Sequence, residues 1–92
     1  MAGDGYRVIL VPGARRALSE SLPPSVAFAA YEFIVGPLAA NPWRVGAPLR
    51  APFAGYHRAR RGEYRIRYRI DRESLLVTVL DIDHRRDSYH AG

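Results

Sequence analysis

The sequence predicts an α+β fold in which two N-terminal helices pack on one face of a four-stranded, largely antiparallel sheet, in the order β-α-α-β-β-β. Three observations support this prediction. A β-branched run opens the chain, two apolar segments of helical period follow it, and the last third alternates between apolar and charged residues. At 92 residues the chain has the length of one domain, spanning residues 1–92.

The first half of the chain predicts one strand and two helices. Four of the six residues 6–11 are β-branched or aromatic and a proline follows the segment, which is typical of a strand. Apolar side chains three and four residues apart predict a short helix over residues 13–22 and a longer one over residues 24–38. The longer helix is apolar nearly all round, which favours burial on two sides, and Gly36-Pro37 should end or kink it. Frequent prolines and glycines predict a loop over residues 41–55.

Three further strands are predicted at residues 56–60, 63–70 and 75–82, joined by short turns. The last of them is almost continuously apolar, as expected for an interior strand. The middle one alternates most clearly. Its apolar side chains are Tyr64, Ile66, Tyr68 and Ile70, and its intervening side chains are Arg65, Arg67 and Arg69. We therefore expect the helices to cover one face of the sheet and the opposite face to be cationic.

Positive charge is concentrated in the middle of the chain. The protein has fourteen arginines, no lysine and nine acidic residues, for a formal net charge of +5. The segment from Arg44 to Arg72 contains nine arginines and only two acidic residues, Glu63 and Asp71, so its local net charge is +7. Such density is typical of a surface that binds a polyanion, and an anionic ligand would relieve the repulsion between arginines at alternate strand positions. Codon bias towards arginine and an acidic protein partner are the alternatives.

Several classes of site are excluded by composition. The chain contains no cysteine, so disulfides, thiolate metal sites and cysteine nucleophiles are ruled out. In the two predicted helices no histidine or carboxylate pair has the spacing of metal ligands, and neither a glycine-rich phosphate loop nor a nucleophile elbow occurs in the sequence. We therefore expect no metal and no cofactor. The apolar stretches are far shorter than the roughly 20 residues that cross a bilayer, so we expect a cytoplasmic protein without a membrane partner.

Candidate proton carriers follow the last predicted strand. His84, Arg85 and Tyr89 occur where an irregular backbone can bring side chains over the sheet. Cleavage of RNA without metal needs a base for the 2′-hydroxyl proton, a cation for the phosphorane charge and an acid for the leaving 5′-oxygen. Histidine matches this task in pKa, whereas tyrosine needs nearby guanidinium groups to favour its phenolate. An ordinary surface position is the alternative for His57, His84 and His90.

Three segments of the sequence resemble the RelE/ParE superfamily of bacterial toxins, specifically its RelE branch. They are Pro48-Leu49-Arg50, Gly55-Tyr56-His57-Arg58-Ala59-Arg60-Arg61-Gly62-Glu63-Tyr64-Arg65-Ile66-Arg67-Tyr68 and Asp83-His84-Arg85-Arg86-Asp87-Ser88-Tyr89. The predicted order of elements matches that family as well. The Arg-x-Gly-x-Tyr-Arg pattern followed by a distal His-Arg and a tyrosine is the most specific part of the resemblance.

The resemblance implies the toxin of a bacterial type II toxin–antitoxin system. Such a toxin is a ribosome-dependent, metal-independent endoribonuclease that cuts messenger RNA in the ribosomal A site, with the 2′-hydroxyl as nucleophile, and so inhibits translation and arrests growth. A cognate antitoxin protein is implied as the partner in a hetero-oligomer. By the same resemblance Arg65 stabilises the phosphate and transition state, Arg85 aids the leaving group or the phosphate, and Tyr89 is the base.

This chain departs from the family pattern in one respect. Some members carry lysines on the strand formed here by residues 56–60, where this chain has His57 and Arg58. His57 and His84 are therefore candidate replacements for the proton carriers. Further candidates for catalysis or RNA binding are Arg58, Arg60, Arg61 and Arg67. Two alternatives stay open: a ParE-like inhibitor of DNA gyrase, and a basic domain that binds RNA without cutting it.

Overall fold

The strands form one mixed sheet that carries two helices on a single face. The computed structural model describes residues 5–53 and 55–84. Its strands are β1 (Arg7–Leu10), β2 (Ala47–Pro48), β3 (Tyr56–Arg61), β4 (Tyr64–Asp71) and β5 (Leu76–His84). Its helices are α1 (Pro12–Arg16), continued by a π-helical segment at Ala17–Ser21, and α2 (Pro24–Phe33), continued by another at Ile34–Leu38. In residues 5–53 and 55–84 no helix is long and apolar enough to cross a membrane.

The order of the strands across the sheet is β1-β5-β4-β3-β2. β1 runs parallel to β5, and the other neighbours are antiparallel. The predicted α+β class and element order are confirmed, and β5 is an interior strand as expected. The sheet has five strands in the described residues rather than the predicted four, because β2 forms within the predicted 41–55 loop and pairs with β3. Two residues are too few to show a periodic pattern, so β2 could not be recognised from the sequence.

The core lies between the two helices and the inner face of the sheet. Fully buried Ile66 and Tyr68 on β4 pack with Val77 and Val79 on β5. Opposite them the helices bury Ala14, Ala30, Phe33, Ile34 and Leu38. Each large apolar side chain buried in this way contributes about 1.5–3 kcal/mol relative to exposure. The alternation predicted for β4 therefore decides which face of the sheet the helices cover.

The second helix keeps a helical backbone through Gly36-Pro37. Its α-helical part begins at Pro24, where a missing N–H costs nothing, and ends at Phe33. The π-helical continuation contains Pro37 and buries Ile34 and Leu38. The chain thus changes its hydrogen-bond pattern one turn before the proline, which is how the expected break is accommodated.

A β-bulge in β5 decides which side chains reach the outer face of the sheet. Arg67 pairs with Asp81, but the next residue, Tyr68, pairs with Val79, so Leu80 is the extra residue. One extra residue reverses the alternation that follows it. Before the bulge Val77 and Val79 point into the core, and after it Ile82 and His84 do. The bulge therefore places Asp81 and Asp83 on the outer face.

Candidate functional site

The outer face of β3 and β4 carries five arginines, which we call the arginine face: Arg58, Arg60, Arg65, Arg67 and Arg69. Arg58 lies opposite Arg67 and Arg60 lies opposite Arg65 in the antiparallel register. Like charges placed directly opposite one another destabilise a sheet unless something compensates them. The predicted cationic face of the middle strand is confirmed, and β3 extends it by two arginines.

Two carboxylates border the arginine face on the β5 side. Both Nε and Nη2 of Arg67 donate to Oδ2 of Asp81, with the Nε to Oδ2 distance at 2.9 Å. This hydrogen bond raises the pKa of the Arg67 guanidinium. Asp83 lies opposite Arg65 in the register. The pair between Arg67 and Asp81 is partly exposed, so it contributes about 0–1 kcal/mol, but it neutralises charge at this side of the face.

The β3 side of the arginine face has no such compensation. Arg58, Arg60 and the nearby Arg44 make no hydrogen bond or ion pair through their side chains with residues 5–53 or 55–84. Arg44 precedes β2, which lies beside β3 at the edge of the sheet. Uncompensated positive charge is therefore greatest at the β2–β3 edge.

Arg61 has a structural position rather than a place on the arginine face. Its Nη1 donates to the carbonyl of Arg60 at 2.7 Å and its Nη2 donates to the carbonyl of Val45 at 2.8 Å. The guanidinium carbon also lies 4.8 Å from the centre of the Phe33 ring, on the helix side of the sheet. Arg61 thus ties the segment before β2 to the end of β3.

Both candidate histidines point to the inner face of the sheet, away from Arg65. His57 is 6 % exposed and contacts the rings of Trp43 and Tyr68, at centroid distances of 5.4 and 5.6 Å. Burial lowers the pKa of His57, which favours the neutral imidazole. His84 is 9 % exposed, and its Nε2 lies 3.4 Å from Oε1 of Glu63. The interpretation of these two as surface histidines is wrong, and the structure does not bring them to the arginine face.

One signal in the sequence indicates the position of His57. His57 precedes Arg58 on the strand, and successive side chains of a strand point to opposite faces. A strand that exposes both Arg58 and Arg60 must therefore turn His57 inward. No comparable signal exists for His84, whose orientation depends on the bulge at Leu80. Arg85 and Tyr89 lie outside the described residues.

Comparison with known proteins defines the family. Residues 23–89 match the family model described as the ParE toxin of the type II toxin–antitoxin system parDE. The chain belongs to the RelE/ParE superfamily of type II toxins. It is similar to Toxin RelG of Mycobacterium tuberculosis, with 49 % identity over 84 residues that cover 91 % of this chain and 95 % of the relative. Toxin RelE of the same organism is 44 % identical over 84 residues, covering 91 % and 86 %.

The fold of this RelE/ParE member matches a solved structure of the same superfamily. The toxin–antitoxin complex RelBE2 of Mycobacterium tuberculosis contains a chain that superposes with a TM-score of 0.84 at 48 % identity. The match covers 88 % of this chain and 99 % of that one. The predicted RelE-like architecture is therefore confirmed.

Proposed function

We propose that this toxin is a ribosome-dependent endoribonuclease that cuts messenger RNA in the ribosomal A site without a metal ion. The observation that carries this proposal is the one-sided arginine face, with Arg65 flanked by Arg60 on β3 and Asp83 on β5. A cationic sheet surface suits an extended phosphodiester backbone, and a relative at 44 % identity is a toxin named RelE.

Arg65 supplies the electrostatic part of the proposed reaction. When O2′ attacks, it forms a bond to phosphorus while the bond from phosphorus to O5′ breaks, leaving a 2′,3′-cyclic phosphate and a 5′-hydroxyl. A fixed guanidinium beside the phosphate stabilises the extra negative charge of the phosphorane. The proton of O2′ passes to a base and O5′ receives a proton, roles that the family resemblance gives to Tyr89 and Arg85.

The proposed dependence on the ribosome is explained by the pKa values of these proton carriers, which make both of them inefficient at neutral pH. Tyrosine and arginine have ordinary pKa values of about 10 and above 12, far from neutral pH. With both histidines turned to the inner face, the described part of the arginine face holds no imidazole. The ribosome would then orient the 2′-hydroxyl in line with the scissile bond, and orientation of this kind supplies up to about 7–11 kcal/mol. Free toxin should cleave naked RNA poorly.

The test is to induce the toxin in cells and to map the 5′ ends of messenger RNA. Arg65→Ala and Tyr89→Phe should abolish both codon-phased cuts and growth arrest. Arg16→Ala is the matched control, because it removes the same charge from an exposed position on α1, on the helix side of the sheet. Undiminished arrest in both site variants would refute the assignment.

A ParE-like action on DNA gyrase is the second candidate, favoured by the family model that matches residues 23–89. The same experiment separates the two functions, since gyrase poisoning gives DNA damage with intact messages. Intact messages without DNA damage would instead indicate an RNA-binding domain that does not cut. We also propose a cognate antitoxin as the partner, because the similar RelBE2 structure is a toxin–antitoxin complex.

A further inference from the structure

We propose that Arg44, Arg58 and Arg60 form a second anion subsite at the β2–β3 edge, which binds a backbone phosphate of single-stranded RNA next to the phosphate that is cut. The choice of RNA as the ligand rests on the proposed function. Arg44 extends the arginine face beyond the residues that the family resemblance singles out.

The subsite is a depression of about 470 Å³ between two elements. Arg44, Gly46 and Ala47 line it from the segment that forms β2. Arg58 and Arg60 line it from β3. Side chains from both sides can therefore contact one phosphate group in the depression.

Charge favours an anion here over the β5 side of the sheet. Oδ2 of Asp81 already accepts two hydrogen bonds from Arg67, so a phosphate that binds Arg67 must compete with a carboxylate. Arg44, Arg58 and Arg60 have no acidic partner in residues 5–53 and 55–84. A phosphate at the β2–β3 edge meets three guanidinium groups without displacing any carboxylate of these ranges.

The backbone that carries Arg44 is anchored on both sides. The buried hydroxyl of Tyr68 donates to the carbonyl of Pro42 at 2.7 Å, and Arg61 donates to the carbonyl of Val45 at 2.8 Å. The N–H of Arg44 itself donates to the carbonyl of Asn41 at 3.1 Å. In this segment binding has to order only the Arg44 side chain and not the backbone, which lowers the entropic cost of capturing a phosphate.

The position of the subsite fits a neighbouring phosphate of the same strand. Arg60 pairs directly with Arg65, so the two side chains start from adjacent strands about 4.8 Å apart. Arg44 lies on the far side of β3 from Arg65. An RNA strand crossing the sheet from β4 towards β2 would therefore place successive phosphates over Arg65 and over the subsite.

The experiment measures binding without cleavage. The dissociation constant of a labelled, fully 2′-O-methylated single-stranded RNA is measured by fluorescence anisotropy at several salt concentrations. Arg44→Ala should weaken binding and reduce the slope of log K against log salt by about 0.7, the value for one lost phosphate contact on a single strand. Arg44→Lys should keep the slope, because it keeps the charge, and Arg16→Ala should bind as the wild type does.

Three results would overturn the subsite. They are a slope for Arg44→Ala equal to that of Arg16→Ala, no binding of the RNA by the wild type, and an effect of Arg44→Ala on a polyglutamate peptide but not on RNA. The last would assign the edge to an acidic protein. Cut messages in cells combined with an unchanged Arg44→Ala slope would remove the subsite and leave the proposed function. If Arg44→Ala reduces the slope as expected but messages in cells stay intact, the subsite is supported and the proposed function is refuted.

Discussion

Replacing Tyr68 with phenylalanine should destabilise the protein through a single lost hydrogen bond. Tyr68 is fully buried, and its hydroxyl donates to the carbonyl of the buried Pro42 at 2.7 Å. Burial also raises the pKa of Tyr68 to about 12, so the hydroxyl remains a donor at any ordinary pH. Phenylalanine keeps the ring that stacks on His57 but leaves the carbonyl without its partner. Such an unsatisfied buried acceptor costs about 1–3 kcal/mol.

This free energy converts to a readily measured change in melting temperature. Unfolding entropies of about 2.1 cal/mol/K per residue give a chain of 92 residues about 0.19 kcal/mol/K in total. The Tyr68→Phe variant should therefore melt about 5–15 °C below the wild type in differential scanning calorimetry. Tyr31→Phe is the control, because it removes the same atom from a side chain that is 52 % exposed. Equal melting temperatures for the wild type and Tyr68→Phe would refute the reasoning.

Three further predictions concern other contacts. Gly46→Ala should cost about 1–3 kcal/mol in urea denaturation, since its Cβ would lie 2.7 Å from the Arg58 carbonyl oxygen, whereas Gly13→Ala meets open space and should not destabilise. Asp81→Asn should free Arg67 and steepen the salt dependence of RNA binding by about 0.7, and an unchanged slope would contradict this. Burial lowers the pKa of His57, so the unfolded chain binds a proton at this imidazole more readily than the folded chain does. The free energy of unfolding should therefore be unaffected by His57 above about pH 6.5 and should fall as the pH drops below it. Thermal melts should show this loss, and His57→Phe should show less of it.

The arginine face could be predicted from the sequence because β4 alternates without exception. From Tyr64 to Asp71, apolar and charged residues exchange sides at every step, so one core contact fixes the orientation of the whole strand. The same rule applied to β3 would have turned His57 inward. Arg58 and Arg60 can reach solvent together only if His57 and Ala59 lie below the sheet.

The bulge in β5 and the short strand β2 could not be predicted, because both depend on pairing between distant segments. Leu80 is one apolar residue in an apolar run, and nothing in that run marks it as the extra residue. The inward turn of His84 and the outward turn of Asp81 follow from this bulge, so the sequence could not assign them. Similarly, Ala47-Pro48 becomes a strand only because β3 offers it an edge.

Among the described strands, β1 is synthesised first and β5 last, yet the two lie side by side in parallel. Arg7 pairs with Leu76, so β1 cannot pair with its neighbouring strand in the sheet until β5 has been translated. A contact that spans so much of the chain is slow to form, because a long loop must close before the pairing stabilises it. A nascent toxin therefore lacks its finished sheet while β5 is still to be made. Under the proposed function, the ribosome that translates this protein must finish β5 before the chain has the complete sheet that cleavage of messenger RNA requires.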